Sequence, residues 1–270
     1  MKIAIVGVGM IGGAVARAAR GLSGVQEIVG IEPLASHAAQ ALELGLVDIV
    51  ASEVPADADL VVLAAPNEQL PDWVVALRDH AGVVMDVGSV KGYIVREVRR
   101  RLGETPANFV PCHPLAGSEK HGPANAPGDL FRNRLVIVLP QRASSAAAVR
   151  RARAFWSGLG AILHEMDIDT HDRTLAATSH LPHLLAFAFM CSIRDEDLRY
   201  SGGGFADFSR IAASSPELWW GIFRLNREEL LQALDGFQNQ VDALRAALVT
   251  DAEADGLALL AEAAGRRRQL

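Results

Sequence analysis

Cysteine is almost absent: Cys112 and Cys191 are the only two in 270 residues. Two cysteines without ligand-type spacing build neither a disulfide framework nor a zinc site, so a reducing, cytoplasmic setting and no metal are expected. Basic clusters are equally scarce. The formal net charge is −6, and Lys and Arg are scattered apart from Arg266 to Arg268. With no basic stripe to neutralise a phosphate backbone, nucleic acid is set aside as a partner. Long apolar runs are missing as well. The densest, Leu184 to Cys191, falls well short of the roughly 20 residues that span a bilayer, so no membrane association is expected. The apolar start after Lys2 superficially resembles a secretion signal, but Gly7, Gly9, Gly12 and Gly13 interrupt it at motif spacing, which favours a loop. Internal repeats and low-complexity linkers are lacking too.

What is present is an apolar half, 50% of the residues, in a chain longer than most single domains, which is enough for two cores around a shared cleft. Lys2 to Val6 is a β-branched run that ends in glycines, followed by an Ala-rich helical stretch through Arg20 and a second apolar run from Ile28 to Ile31. That order is a βαβ unit. Further strands are predicted at Leu60 to Ala64, Val83 to Val87, Phe109 to Pro111, Leu135 to Leu139 and Ala161 to Glu165, with helices between several of them. The alternation implies an α/β fold with a parallel, doubly wound, Rossmann-type sheet over residues 1–167.

After Asp167 no strand pattern returns, and Thr170 to Ile193, Pro216 to Leu234 and Phe237 to Leu260 all read as helices. Residues 168–270 are therefore expected to form an all-α domain, with too little chain beyond it for a further one. Leu230, Leu234, Phe237, Val241, Leu244 and Leu248 recur at spacings of 4, 3, 4, 3 and 4, the seam of two helices packed at a shallow angle, and an intramolecular bundle is expected there. Trp219, Trp220, Ile222 and Phe223 place apolar groups on more than one helix face, which argues for a second subunit and a homodimer.

Gly7, Gly9 and Gly12 follow a strand and open a helix, the setting a dinucleotide fingerprint requires. The first glycine serves the tight turn, the second lets backbone approach a pyrophosphate, and the third allows close helix packing. Glu32 lies 20 residues after Gly12, at the end of the second strand, where a carboxylate accepts hydrogen bonds from ribose hydroxyls. A carboxylate there repels a 2′-phosphate, and no Arg or Lys lies between Pro33 and Leu46 to attract one, so NAD is expected rather than NADP. Met10 and Ile11 in the glycine loop and Pro66 after the Leu60 strand complete the expected cofactor contacts.

Ligand crevices in open α/β sheets lie beyond the carboxyl ends of strands, where Ser89 and His113 are expected. His113 opens the string His113-Pro114-Leu115-Ala116-Gly117-Ser118-Glu119-Lys120. With Asp86-Val87-Gly88-Ser89-Val90-Lys91, Ser179-His180-Leu181-Pro182-His183 and Gly202-Gly203-Gly204-Phe205-x-Asp207-x-x-Arg210-Ile211, the chain closely resembles the prephenate/arogenate dehydrogenase family nearly end to end. The resemblance implies a Rossmann domain followed by a helical dimerisation domain, with the active site between them. It also implies NAD-dependent oxidative decarboxylation of a cyclohexadienyl substrate on the tyrosine pathway. His113 matches the family's catalytic histidine and Ser89 its companion serine. His183 and Arg210 match substrate-contacting basic residues, and His171, which matches the histidine of a His-Asp pair and is here followed by Asp172, is expected to bind substrate with them. Glu119 matches an acid at the mouth of the site, beside Ser118.

The chemistry suits these residue types. A neutral imidazole titrates near working pH and can take the ring-hydroxyl proton. Ser89 is expected to hydrogen-bond both that hydroxyl and the imidazole, and Arg210 to clamp a carboxylate through two charge-assisted bonds. His183 leans the substrate toward prephenate, with arogenate open, and tyrosine is expected to compete near Glu119 and Arg210 if it inhibits. His180 and His183 lie three apart, but Pro182 intervenes and no third ligand is evident, which speaks against a metal. His171 and His180 remain open between functional and packing roles. His80, His121 and His164 read as structural or solvated, and Cys112 as a small buried hydrophobe. Two alternatives stand beside this reading: a 3-hydroxyacid dehydrogenase of the 6-phosphogluconate type and a catalytically silent NAD-binding protein. The first typically uses a lysine on an interdomain helix, and Thr170 to Ile193 contains none.

Overall fold

The computed structural model describes residues 1–117 and 121–269; Ser118, Glu119 and Lys120 lie outside the described residues. Strands β1 (Lys2–Val6), β2 (Glu27–Ile31), β3 (Ile49–Val50), β4 (Leu60–Leu63), β5 (Val83–Asp86), β6 (Phe109–Pro114), β7 (Leu135–Val138) and β8 (Ile162–Glu165) form one sheet in the order β3-β2-β1-β4-β5-β6-β7-β8. All four residues of β4 and of β5 are buried, as expected of parallel strands covered on both faces. Helices α1 (Met10–Ala19), α2 (Ala35–Glu43), α3 (Leu70–Ala76), α4 (Lys91–Leu102) and α5 (Ala146–Gly158) supply that cover. Trp156 and Phe131 anchor the core on one face, and Leu70, Val74, Ile94 and Val98 fill the other.

The fully parallel sheet expected from the sequence holds from β3 to β6 and fails at β7, which runs antiparallel to β6. The β6–β7 connection contains no α-helix among the described residues, so the chain returns without a crossover and pairs in reverse. β6 is also longer than predicted. His113 pairs with Ile137 and so lies within the strand, not beyond it. β3, with two residues, is too short to leave a periodic signal.

The second half is helical: α6 (Ile168–Leu175), α7 (Leu181–Ser192), α8 (Gly203–Ser209), α9 (Pro216–Leu225), α10 (Arg227–Val249) and α11 (Glu253–Arg267). One π-helical turn, Ala176–His180, joins α6 to α7. The resulting helix, Ile168–Ser192, is 25 residues long and by length and mean hydropathy would pass for a membrane span, against the expectation from short apolar runs. It is the helix that carries His171, Asp172, His180 and His183, and His180 and His183 line the central cleft.

Two expected helix boundaries were misplaced. Asn226 (φ −109, ψ 33) separates α9 from α10, because its side chain is committed to groups on the neighbouring helix. Asp251, at φ 53, ends the following helix. The whole Leu230-to-Leu248 seam therefore lies on α10 alone. Leu230 is buried against Leu181 and Phe223, but Phe237, Val241 and Leu248 are 38%, 44% and 83% exposed, so the intramolecular bundle ends where the seam continues.

Candidate active site

A cleft of about 650 Å³ opens beyond the carboxyl ends of β1, β5 and β6 and is closed by the helical half. Ser89, from the loop between β5 and α4, and His113 line it from the sheet side, with Met10 and Ile11 of the glycine loop. His180, His183 and Arg210 line it from the helical side. His171 does not. It is fully buried and stands behind His113, so the expectation of a substrate contact is replaced by contact with the His113 ring.

The glycine loop has the shape its sequence called for. Gly7 sits at φ +85, and a Cβ on Gly12 would fall 1.9 Å from the Gly7 carbonyl oxygen, so only glycine lets α1 pack this closely on β1. A Cβ on Gly9 would meet nothing within 4 Å, leaving room beside the α1 N-terminus for an anionic group. Glu32 is oriented by two backbone donors: Val8 N–H to Oε2 at 2.9 Å and Leu34 N–H to Oε1 at 3.0 Å. Each oxygen keeps lone-pair capacity for a ribose hydroxyl. Pro66 follows β4 and opens a short helical turn at Asn67–Gln69. These residues fit a dinucleotide.

The floor of the cleft is a directed hydrogen-bond chain. Asp172 Oδ1 and Oδ2 accept the N–H groups of Lys91 (3.0 Å) and Gly92 (2.7 Å), capping α4 from the helical half. Burial would raise the Asp172 carboxyl, but the bonds from His171 and from this helix terminus outweigh it and hold the group below the usual carboxylate range. An ionised Asp172 only accepts, so His171 Nδ1 donates to it (2.7 Å) and His171 Nε2 carries a lone pair. That lone pair is 2.8 Å from His113 Nδ1, which must therefore hold the proton. His113 Nε2 is therefore left without a proton, on the ring edge away from His171. Burial, followed by the neighbouring His171, Lys91 and His180, pushes His113 well below the ordinary imidazole range and keeps it neutral.

Under this chain lies a fully buried ion pair. Lys91 Nζ donates to Asp86 and, at 2.6 Å, to the Cys112 carbonyl, the peptide immediately before His113. The lysine thus ties the end of β5 to the peptide that precedes His113 in β6. Cys112 itself is fully buried, and burial pushes its thiol up to about 12, so it is no nucleophile.

On the helical wall, His183 donates Nδ1–H to the Ser179 carbonyl at 3.0 Å and stacks on Trp219, with ring centroids 3.5 Å apart. His180 is 1% exposed and bonded to Asn226. Ser89 donates its backbone N–H to Asn67 Oδ1, and no hydrogen bond joins it to the His113 ring among the described residues. Arg134 and His121 also line the cleft; the first passed unnoticed in the sequence and the second read as structural or solvated. Lys91, Asp86 and Asn226 were missed as functional for a related reason: the burial that gives them meaning arises only from tertiary packing. Residues Ser118 and Glu119 lie outside the described residues.

Two family models cover most of the chain: prephenate dehydrogenase, nucleotide-binding domain, over residues 15–165, and prephenate dehydrogenase, dimerization domain, over residues 167–262. The chain belongs to the prephenate dehydrogenase family. The cyclohexadienyl dehydrogenase of Zymomonas mobilis is 33% identical over 92% of this chain and 88% of its own length. The prephenate dehydrogenase from Aquifex aeolicus, solved with hydroxyphenyl propionate and NAD+, has a TM-score of 0.91 and 30% identity, covering 100% of this chain and 98% of that one. Synechocystis arogenate dehydrogenase has a TM-score of 0.84 and 25% identity over 100% and 99% of the two chains. As in the prephenate dehydrogenase family models, the nucleotide-binding half gives way to the helical half between β8 and α6.

Proposed function

We propose that this chain is a cytoplasmic, NAD-dependent dehydrogenase that converts prephenate, arogenate or both by oxidative decarboxylation on the route to tyrosine. The observation that carries the reading is the bare Nε2 of His113, held toward a cleft between a dinucleotide loop and a cation-bearing helical wall. When bound, NAD would supply the hydride acceptor; Gly7, Gly9, Met10, Ile11, Gly12 and Pro66 would hold it, with Glu32 as the acceptor for its ribose hydroxyls. His113 Nε2 takes the proton of the substrate ring hydroxyl, with Ser89 beside it as the hydroxyl's second contact. The charge that forms on the imidazole is balanced through His171 by the ionised Asp172, which keeps the ring in the accepting tautomer. Once the hydroxyl carbon becomes a carbonyl, electrons of the ring carboxylate flow through the ring to the carbonyl oxygen as CO₂ leaves; aromatisation drives the step, and the resulting phenolate takes a proton from the His113 imidazolium or from water. Arg210 and His183 hold the substrate on the helical side.

The exposed row Phe237, Val241 and Leu248 on α10, with Leu257 and Leu260 on α11 at 58% and 57%, supports a homodimer formed through the helical half. Tyrosine, sharing the product's ring and carboxylate, is expected to inhibit by competition in this cleft; a purely noncompetitive pattern would count against that. The deciding experiment is NADH or NADPH formation by the purified enzyme with prephenate and arogenate, each paired with NAD and NADP. Turnover with NAD and either substrate is expected, and silence from folded enzyme that still binds NAD would overturn the reading.

A further inference from the structure

Three of the four histidines that line the cleft do not all carry their proton on the same ring nitrogen. His113 has its proton on Nδ1, facing inward, and so does His183, whose Nδ1–H is spent on the Ser179 carbonyl. His180 is the opposite case. The Asn226 amide nitrogen lies 2.8 Å from the Asp172 carbonyl oxygen and 3.1 Å from His180 Nδ1. A carbonyl oxygen only accepts, so the NH₂ end of Asn226 must face it, and the same NH₂ donates its second proton to His180 Nδ1. Turning the amide over would set two oxygens against each other in a buried site. Nδ1 of His180 is therefore an acceptor, and its proton resides on Nε2.

His180 is buried, yet its ring borders the cleft, edge-on to Trp219 with centroids 6.3 Å apart. The groups facing it are Asp172, His171, His183 and Asn226. We infer that His180 is a substrate-contacting residue whose Nε2–H is a fixed, uncharged donor to a carboxylate or carbonyl oxygen of the substrate, with Asn226 as the positioning residue that fixes this tautomer. The inference rests on the function proposed above. Burial pushes the His180 imidazole down to about 4, so the donor carries no charge through the working range and does not compete with His113 for the proton. The pair divides the labour: one imidazole offers a lone pair, the other an N–H. A neutral donor also avoids a second buried cation beside a base that must itself become cationic.

Two amide replacements separate this role from packing. In His180→Gln the side-chain amide nitrogen falls near the lost Nε2 and can still donate into the cleft; in His180→Asn it falls near Nδ1 and cannot reach. The expected result is a KM for the cyclohexadienyl substrate raised about ten- to hundredfold in His180→Asn and within about threefold of wild type in His180→Gln, with the acid limb of kcat unmoved in both. A purely structural role predicts the reverse ordering, since asparagine better replaces the group bonded to Asn226. Equal effects in the two variants, or loss of the acid limb in either, would overturn the assignment. Independently of turnover, ¹⁵N spectra of histidine-labelled wild-type enzyme, with the His180 resonances identified by difference from His180→Gln, should show the Nε2–H tautomer at neutral pH. An Nδ1–H tautomer or an imidazolium there would sink the inference. If the wild type turns over neither substrate, the proposed function falls, and the spectrum still decides whether His180 is a fixed donor.

Discussion

At the floor of the cleft, His113, His171, Asp172 and His180 are 8%, 0%, 5% and 1% exposed, and all four are linked by hydrogen bonds to one another or to Asn226 and the start of α4. At the rim, Arg134, Arg210 and His121 stand in solvent on loops and short helical turns. The floor can hold its protons in one arrangement because low dielectric and complete bonding make any other arrangement costly. Under the proposed function the rim would meet the end of the substrate that differs between prephenate and arogenate, because its residues lie on exposed loops and short turns. The proposed function thus places reaction chemistry in the part of the molecule that tolerates least change, and substrate choice in the exposed part.

The contrast is broken most directly at the base. His113→Asn should lower kcat by about a hundred- to ten-thousandfold while NAD affinity, followed by fluorescence titration, stays near wild type. In the wild type the acid limb of kcat/KM should fall below the ordinary imidazole range, since His113 works only when neutral and its environment favours that form. Retained turnover in the variant would move the base elsewhere.

Next in size is the cost of keeping the His180 imidazole uncharged. His180 binds its proton more weakly folded than unfolded, so the unfolded chain takes up more protons as pH falls from the ordinary imidazole value near 6.5 toward about 4. Stability is full above that window and is lost through it, by on the order of 3 kcal/mol from this one group. Thermal unfolding followed across the window should show the drop, and His180→Gln should flatten it; an unchanged slope in the variant would mean that the ring is not held neutral by burial. At the rim the effects should be smaller. Arg210→Gln should raise KM for the cyclohexadienyl substrate about tenfold with little change in kcat, as expected for loss of one charged hydrogen-bond partner; an unchanged KM would shift the carboxylate to Arg134. Glu32→Gln should be mildest, raising KM for NAD about threefold by weakening one ribose contact. Unaltered NAD kinetics would leave Glu32 as a backbone brace only.

The fold was legible wherever a local pattern decides it. The Gly7-Gly9-Gly12 loop, the Glu32 position and the helical second half all follow from spacing and periodicity. Boundaries failed where a tertiary contact overrides the pattern: the Pro216-to-Leu234 periodicity runs through Asn226 unbroken, but the asparagine's bonds to Asp172 and His180 interrupt the helix there. β7 reversed for lack of a crossover helix, which the strand pattern alone does not reveal. In the site, the family resemblance pointed to His113, Ser89, His183 and Arg210, all of which border the cleft. It could not rank His171 behind His113, because depth along a hydrogen-bond chain has no signature in sequence.

The π-turn at Ala176–His180 adds a phase to this design. One residue more than an α-helical turn would need is accommodated there, so every side chain beyond it is rotated about 100° around the axis relative to an unbroken helix. Asp172 and His171 reach inward before the slip, and His183 meets the cleft after it. A deletion of one residue within the turn would leave the helix continuous and its composition nearly the same, yet swing the two halves of the wall out of step. The angular offset between them, more than any single contact, is what lets one helix serve both the floor and the wall.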